Sequence, residues 1–113
     1  MTDSDIFVHD ADVAWEDLGD GIQRKMLTYE GQVMMVKIAF KAGAAGAAHS
    51  HPHVQCTYIE SGEFWVTIDG RREKLTAGAS FRVPPDKVHD AAAITDGVLI
   101  DVFTPMREDF LTD

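Results

Sequence analysis

Three histidines and a glutamine are the residues of this chain best suited to chemistry. His49, His51 and Gln55 lie in the run His49-Ser50-His51-Pro52-His53-Val54-Gln55. His89 follows far along the chain, in Pro84-Pro85-Asp86-Lys87-Val88-His89. Neutral imidazole is the commonest protein ligand for a transition metal, and an amide oxygen can complete a donor set. Alternate residues of a strand point to one side, so His49, His51 and Gln55 can face a single point. His53 shares their parity, but Pro52 beside it leaves its direction open, so contact with metal or substrate is undecided. Close histidines can also form no more than a solvated patch. The distant His89, placed after a proline-rich turn, favours the metal. The expectation is one divalent transition-metal ion held by His49, His51, Gln55 and His89 inside a small β-barrel. Such donors tolerate zinc, nickel, iron, manganese or cobalt.

Short strands and tight turns must position these residues. Gly19-Asp20-Gly21 is a turn leading into a strand over Ile22–Tyr29, and Glu30-Gly31 is a turn before Val33–Phe40. In the latter, Val36, Ile38 and Phe40 alternate with Lys37, Ala39 and Lys41, the period of a half-buried strand. Gly43–Ala48 reads as a plain Gly/Ala connection without the Lys and Ser/Thr of a phosphate loop. Val54–Glu60 and Glu63–Asp69 flank Ser61-Gly62, and Asp69-Gly70 is a strong hairpin signal. Arg71–Leu75, Ser80–Val83, Val88–Ile94 and Val98–Thr104 continue the series, and Arg107–Leu111 closes with a helical turn. Turn signals about every ten residues predict an all-β sandwich or barrel. Met26, Met34 and Met35 are expected to fill core gaps, and Cys56, of opposite parity to Gln55, to be a small core residue.

Bulk properties exclude several classes of function. A chain of 113 residues suits a single domain over residues 1–113. The formal charge of −9 repels nucleic acid and anionic lipid, so neither is an expected partner. An anionic ligand therefore needs a local positive site. Met1-Thr2-Asp3-Ser4-Asp5 has neither a basic nor an apolar segment of a secretion signal, and no apolar run reaches membrane-spanning length. One cysteine, Cys56, cannot form an internal disulfide. The expected location is the cytoplasm.

Two segments carry a family resemblance. Gly43-x5-His49-x-His51-x3-Gln55-x6-Gly62 resembles the first cupin motif, whose two histidines and a glutamate bind metal. Gly78-x5-Pro84-x-Asp86-x2-His89 resembles the second, which supplies the last histidine. The resemblance implies a double-stranded β-helix, or jelly-roll, barrel. Gln55 replaces the usual Glu, Asp86 a usual Gly, and Ala93 a terminal Asn. The first replacement changes the charge of the site. Three imidazoles and an amide leave a divalent ion uncompensated, which makes a trap for an anionic substrate. Four protein ligands also leave positions open on a metal that accepts six, enough for a bidentate oxygen ligand.

The stretch Leu99–Phe110 narrows the resemblance to the KdgF family of pectin-degradation proteins, as do Trp15–Gly19 and His49–His53. That family implies a small cytoplasmic enzyme. It would open cyclic 4,5-unsaturated uronates from pectin or alginate and tautomerise them to linear keto sugar acids. The resemblance also implies a homodimer, and roles in activity for Asp101, Phe103 and Arg107. A physical reading stands beside it. Asp101 shares parity with Leu99 and Phe103 in an otherwise apolar strand. If it faces the interior, it must be paired, metal-proximal or functional; the alternative is solvent at a sheet edge. Arg107 offers a planar fork for a carboxylate, or is a surface arginine beside Glu108 and Asp109. Phe103 packs against a sugar ring or in the core. Two other functions fit a cupin site: a metal-dependent dioxygenase, and a sugar-acid binding module without turnover.

Overall fold

The computed structural model describes residues 3–111. Its strands in chain order are β1 (Glu16–Gly19), β2 (Ile22–Glu30), β3 (Val33–Phe40), β4 (Val54–Ser61), β5 (Glu63–Ile68), β6 (Arg71–Thr76), β7 (Ser80–Val83), β8 (His89–Ala93) and β9 (Gly97–Thr104). Short 3-10 turns lie at Asp10–Asp12 and Glu108–Leu111. The architecture is all-β, as expected. A six-stranded sheet runs β1-β2-β3-β9-β4-β7, and a three-stranded sheet runs β6-β5-β8. Every neighbouring pair is antiparallel.

The hairpins follow from their turn residues. Asp20-Gly21 and Asp69-Gly70 both place two successive residues at positive φ. This is the type I′ geometry that matches strand twist. Gly62, between β4 and β5, has φ +85, and a Cβ there would lie 2.4 Å from the Asp96 carbonyl oxygen. Only glycine fits that crossing. Asp86 holds φ +66, a left-handed conformation that Asp tolerates better than most residues.

Period-two alternation puts one face of the larger sheet inside. On β3, Met34, Val36 and Phe40 are buried; on β9, Gly97, Leu99, Asp101 and Phe103 are buried. Phe40, Ile59 and Leu99 of the larger sheet meet Phe64, Val66 and Ala93 of the smaller one. Register sets these inward residues in rows across the strands. One row reads Met26, Val36, Asp101, Thr57, Phe81. The next reads Met34, Phe103, Gln55, Val83. The interior-facing functional residues therefore come from neighbouring central strands.

Several expectations need correcting. No strand was expected before Gly19-Asp20-Gly21, yet Glu16–Gly19 pairs with β2. Gly43–Ala48 is not a plain connection. Its backbone docks on β8 through Gly43 N–H to Ala93 O, Gly46 N–H to Ala91 O and Ala93 N–H to Ala44 O. Cys56 is exposed rather than in the core, because its parity, shared with Tyr58, points out of the barrel. Met35 likewise takes the outward parity beside Val102, whereas Met34 is buried and Met26 packs against it. The outer face of β2 and β3 is covered by the N-terminal segment. Asp10 bridges the directly paired Lys25 and Lys37, and Lys25 lies 4.8 Å from the Trp15 ring centroid.

Candidate metal centre

The docked Gly43–Ala48 segment brings His49 to His89. The two residues exchange backbone hydrogen bonds, His49 N–H to His89 O and His89 N–H to His49 O. His51 follows two residues on, so three imidazoles converge. Their ring centroids are 4.3 Å apart for His49–His89, 4.8 Å for His51–His89 and 5.7 Å for His49–His51. One nitrogen of each lies within 4.8 Å of the others. His51 and His89 are buried, whereas His49 is exposed.

Backbone carbonyls fix the tautomer of all three rings. Nδ1–H of His49 donates to Ala47 O, that of His51 to His53 O and that of His89 to Lys87 O. A carbonyl can only accept, so Nε2 carries the lone pair in each ring. Outer hydrogen bonds of this kind orient metal-binding histidines. His89 Nε2 is buried with no hydrogen-bond partner among the described residues. Burial holds the His51 and His89 imidazoles below their ordinary pKa, which favours the neutral, ligating form.

Gln55 makes the case for a cation sharper. Its Oε1 lies 3.0 Å from His51 Nε2, while its amide NH₂ donates to Thr57 Oγ1 at 2.9 Å and faces Asp101 Oδ1 at 3.4 Å. Two lone-pair atoms therefore face each other in a buried site. Reversing the amide would set Oε1 against the Asp101 carboxylate. A positive ion between the acceptors removes the conflict. The histidine triad is suited to a metal ion, and Gln55 Oε1 offers a fourth donor.

Asp101 lies behind Gln55. It is buried in β9, at the centre of the larger sheet rather than at an edge. Thr57 donates to its Oδ1 at 2.6 Å. Burial pushes the carboxyl up to about 6, against the opposing pull of the Thr57 hydroxyl, the Arg107 charge and the Gln55 amide. Such a group can both take and give a proton near neutral pH.

One cavity of about 260 Å³ joins these parts. Its lining includes His49, His89, Gln55, Asp101, Phe103 and Arg107. Phe103 is at once a core residue and a wall of the site, with its ring 5.6 Å from that of His51. The Arg107 fork is engaged by Asp109 at 3.0 and 2.8 Å, and its Cζ lies 5.2 Å from the Phe103 centroid and 4.3 Å from that of Phe110. It combines the two expectations, pairing with a neighbouring acid while facing the cavity. The His53 ring lies 5.5 Å from that of His51, and its Nε2–H donates to Met106 O at 3.2 Å, which anchors the segment carrying Arg107.

Three residues escaped the sequence reading. Thr57 shares the parity of Gln55, a signal that could have found it. Phe110 and Arg24 line the same cavity. Arg24 shares the inward parity of Ile22 and Met26, but Lys25 and Leu27 blur that alternation.

A cupin-domain family model matches residues 36–103. The pectin degradation protein KdgF of Dickeya dadantii (strain 3937) is 40% identical over 104 residues, 90% of this chain and 94% of that protein. This chain belongs to the KdgF family of cupins. The solved structure of KdgF from a Halomonas species superposes with a TM-score of 0.90 at 34% identity, covering 95% of this chain and 99% of that one. An RmlC-like cupin from Shewanella frigidimarina NCIMB 400 superposes with a TM-score of 0.95 at 46% identity, covering 97% and 99%. As a KdgF-family cupin, the chain has the jelly-roll barrel that its motifs predicted.

Proposed function

We propose that this protein opens 4,5-unsaturated uronate monosaccharides and tautomerises them to linear keto sugar acids, an isomerase-type step in pectin and alginate breakdown. The observation that carries the reading is Asp101. A carboxyl of raised pKa, paired with Thr57 and Gln55, lines the same cavity as the histidines and Arg107. The KdgF likeness supplies the substrate class.

The residues divide the work as follows. His49, His51, His89 and Gln55 hold one divalent ion, whose identity the donors leave open among zinc, nickel, iron, manganese and cobalt. When bound, the ion supplies positive charge where negative charge develops on the sugar oxygens. Asp101 takes the proton of the anomeric hydroxyl as the C1–O5 bond breaks, freeing the aldehyde and leaving an enolate across C4, C5 and O5. The same carboxyl returns that proton to C4, and C5 becomes a ketone. Arg107 holds the sugar carboxylate, and Phe103 packs against the ring. The reading includes a cytoplasmic homodimer, supported by the family resemblance and, for location, by the single exposed thiol of Cys56.

The test is direct. Purified, metal-loaded protein is incubated with an unsaturated galacturonate monomer. The enol chromophore should decay faster than in buffer, and NMR should show the linear keto acid. Decay at the spontaneous rate would overturn the reading.

A further inference from the structure

We propose that Arg24 is a second substrate-binding residue, which grips the carboxylate end of the sugar acid together with Arg107. The inference rests on the uronate reading above and extends it to a residue of β2 that lines the same cavity. Four observations carry it.

Position comes first. Register places Arg24 in the inward row Arg24, Ile38, Leu99, Ile59. Beyond Arg24's cross-strand partner Glu16 on the edge strand β1, the other members of that row are apolar. A guanidinium at an inward position carries a desolvation cost, and a structural role alone would be met as well by an aliphatic residue.

Geometry comes next. The side chain of Arg24 is only 13% exposed, and its residue lines the cavity that holds His49, His89, Asp101 and Arg107. Its Cζ lies 4.3 Å from the Phe110 centroid, and the Cζ of Arg107 lies at the same distance from that centroid. The two guanidinium carbons are therefore no further apart than twice that distance. Both guanidiniums border the Phe110 ring, which itself lines the cavity.

Donor capacity is the third point. Nε and Nη2 of Arg24 both donate to one oxygen, Glu16 Oε1, at 3.0 and 2.8 Å. That leaves Nη1 with no hydrogen-bond acceptor among the described residues. Glu16 is exposed, with 55% of its side chain accessible. It occupies the Nε/Nη2 side of the fork and leaves Nη1 to meet a further acceptor.

Charge is the fourth. The chain carries −9 overall, so long-range attraction does not bring an anion to the cavity. Asp109 already engages the fork of Arg107, which weakens what that residue alone offers. A second guanidinium restores the local positive field.

The experiment compares an acid with its ester. Wild type and Arg24→Gln, both metal-loaded, are assayed with 4,5-unsaturated galacturonate and with its C6 methyl ester. Binding of saturated D-galacturonate and of its methyl ester is titrated by NMR in parallel. Loss of one charge-assisted contact should raise KM for the acid by about ten-fold or more. The change in kcat should stay within about three-fold, and the ester should be unaffected. Galacturonate affinity should fall in step. An unchanged KM for the acid, or equal shifts for acid and ester, would overturn the assignment and leave a merely structural arginine.

Glu16→Gln gives a readout that leaves Arg24 in place, should Arg24→Gln fail to fold. Removing the competing carboxylate should lower KM for the acid by about three-fold and leave the ester unchanged. No difference between acid and ester would count against Arg24. The two readings separate cleanly. Wild-type turnover with a normal KM in Arg24→Gln discards Arg24 alone. Arg24-dependent galacturonate binding without wild-type turnover discards ring opening alone.

Discussion

Each histidine of the triad gives Nδ1–H to a backbone carbonyl and keeps Nε2 for the site. Replacing His49 and His51 together by Ala should therefore abolish divalent-ion binding, read as metal per chain by elemental analysis. Full occupancy in the double variant would place the metal elsewhere. Gln55 poses a subtler question, because a carboxylate is the stronger ligand but neutralises half the charge of a divalent ion. Gln55→Glu should keep its metal and weaken uronate binding at equal occupancy. It also sets a carboxylate within reach of Asp101, which Gln55 now faces at 3.4 Å. Unchanged or tighter binding would remove the electrostatic account of Gln55. Asp101→Asn keeps shape but cannot shuttle a proton. Metal should stay, and turnover above the spontaneous background should fall by about 10²–10⁴-fold.

Among the elements, the crossing between β4 and β5 is the most constrained. Gly62→Ala sets a Cβ against the Asp96 carbonyl at a positive φ. Strain and displacement together should destabilise the fold by about 2–4 kcal/mol, read as a lowered urea midpoint. A wild-type midpoint would mean that the Asp96 turn yields freely. The strands on either side were legible beforehand. Val33–Phe40 and Ser80–Val83 have their expected bounds, and the others shift by a residue or two. Period-two patterning on a one-sided sheet and paired Asp-Gly turns make such elements plain. The four-residue β1 was hidden because Trp15–Gly19 is short and shows no alternation ahead of the Asp20-Gly21 turn. The docking of Gly43–Ala48 on β8 was equally silent, since small residues beside a strand leave no periodic mark. Arg24 was missed for a related reason. The N-terminal segment covers the outer face of β2, so Lys25 is also buried, and inside cannot be told from outside by polarity. Parity did place Asp101, Leu99 and Phe103 correctly, because β9 is central and its two faces differ.

At the scale of the whole molecule, the acidic surface and the interior site pull in opposite directions. Among the described residues no helix is long and apolar enough to cross a membrane, and the net charge of −9 sets a negative field around the molecule that opposes the approach of anions. The interior instead gathers imidazoles and the Arg107 guanidinium around one buried acid. That acid ties the site to global stability. Burial raises the Asp101 carboxyl to about 6 from 3.8, so the folded state binds its proton more tightly than the unfolded chain does. For a carboxyl shifted upward, the stabilisation is complete below the unfolded value and is lost as pH rises through the folded one. Metal-free protein should therefore lose about 3 kcal/mol from this group between roughly pH 4 and pH 6. Asp101→Asn has no such proton to lose. Urea denaturation of the chelator-treated pair should show the variant gaining on wild type by that amount over the same window. Differences between the pair cancel the opposing effect of His51 and His89, which burial keeps neutral and which favour the fold as pH rises. Restoring the metal adds positive charge beside Gln55 and lowers the carboxyl pKa, so the gap should shrink. A constant difference from pH 4 to pH 6 in the metal-free pair would mean that burial does not raise the Asp101 carboxyl, which would then hold a proton taken from the sugar no better than an ordinary surface carboxylate.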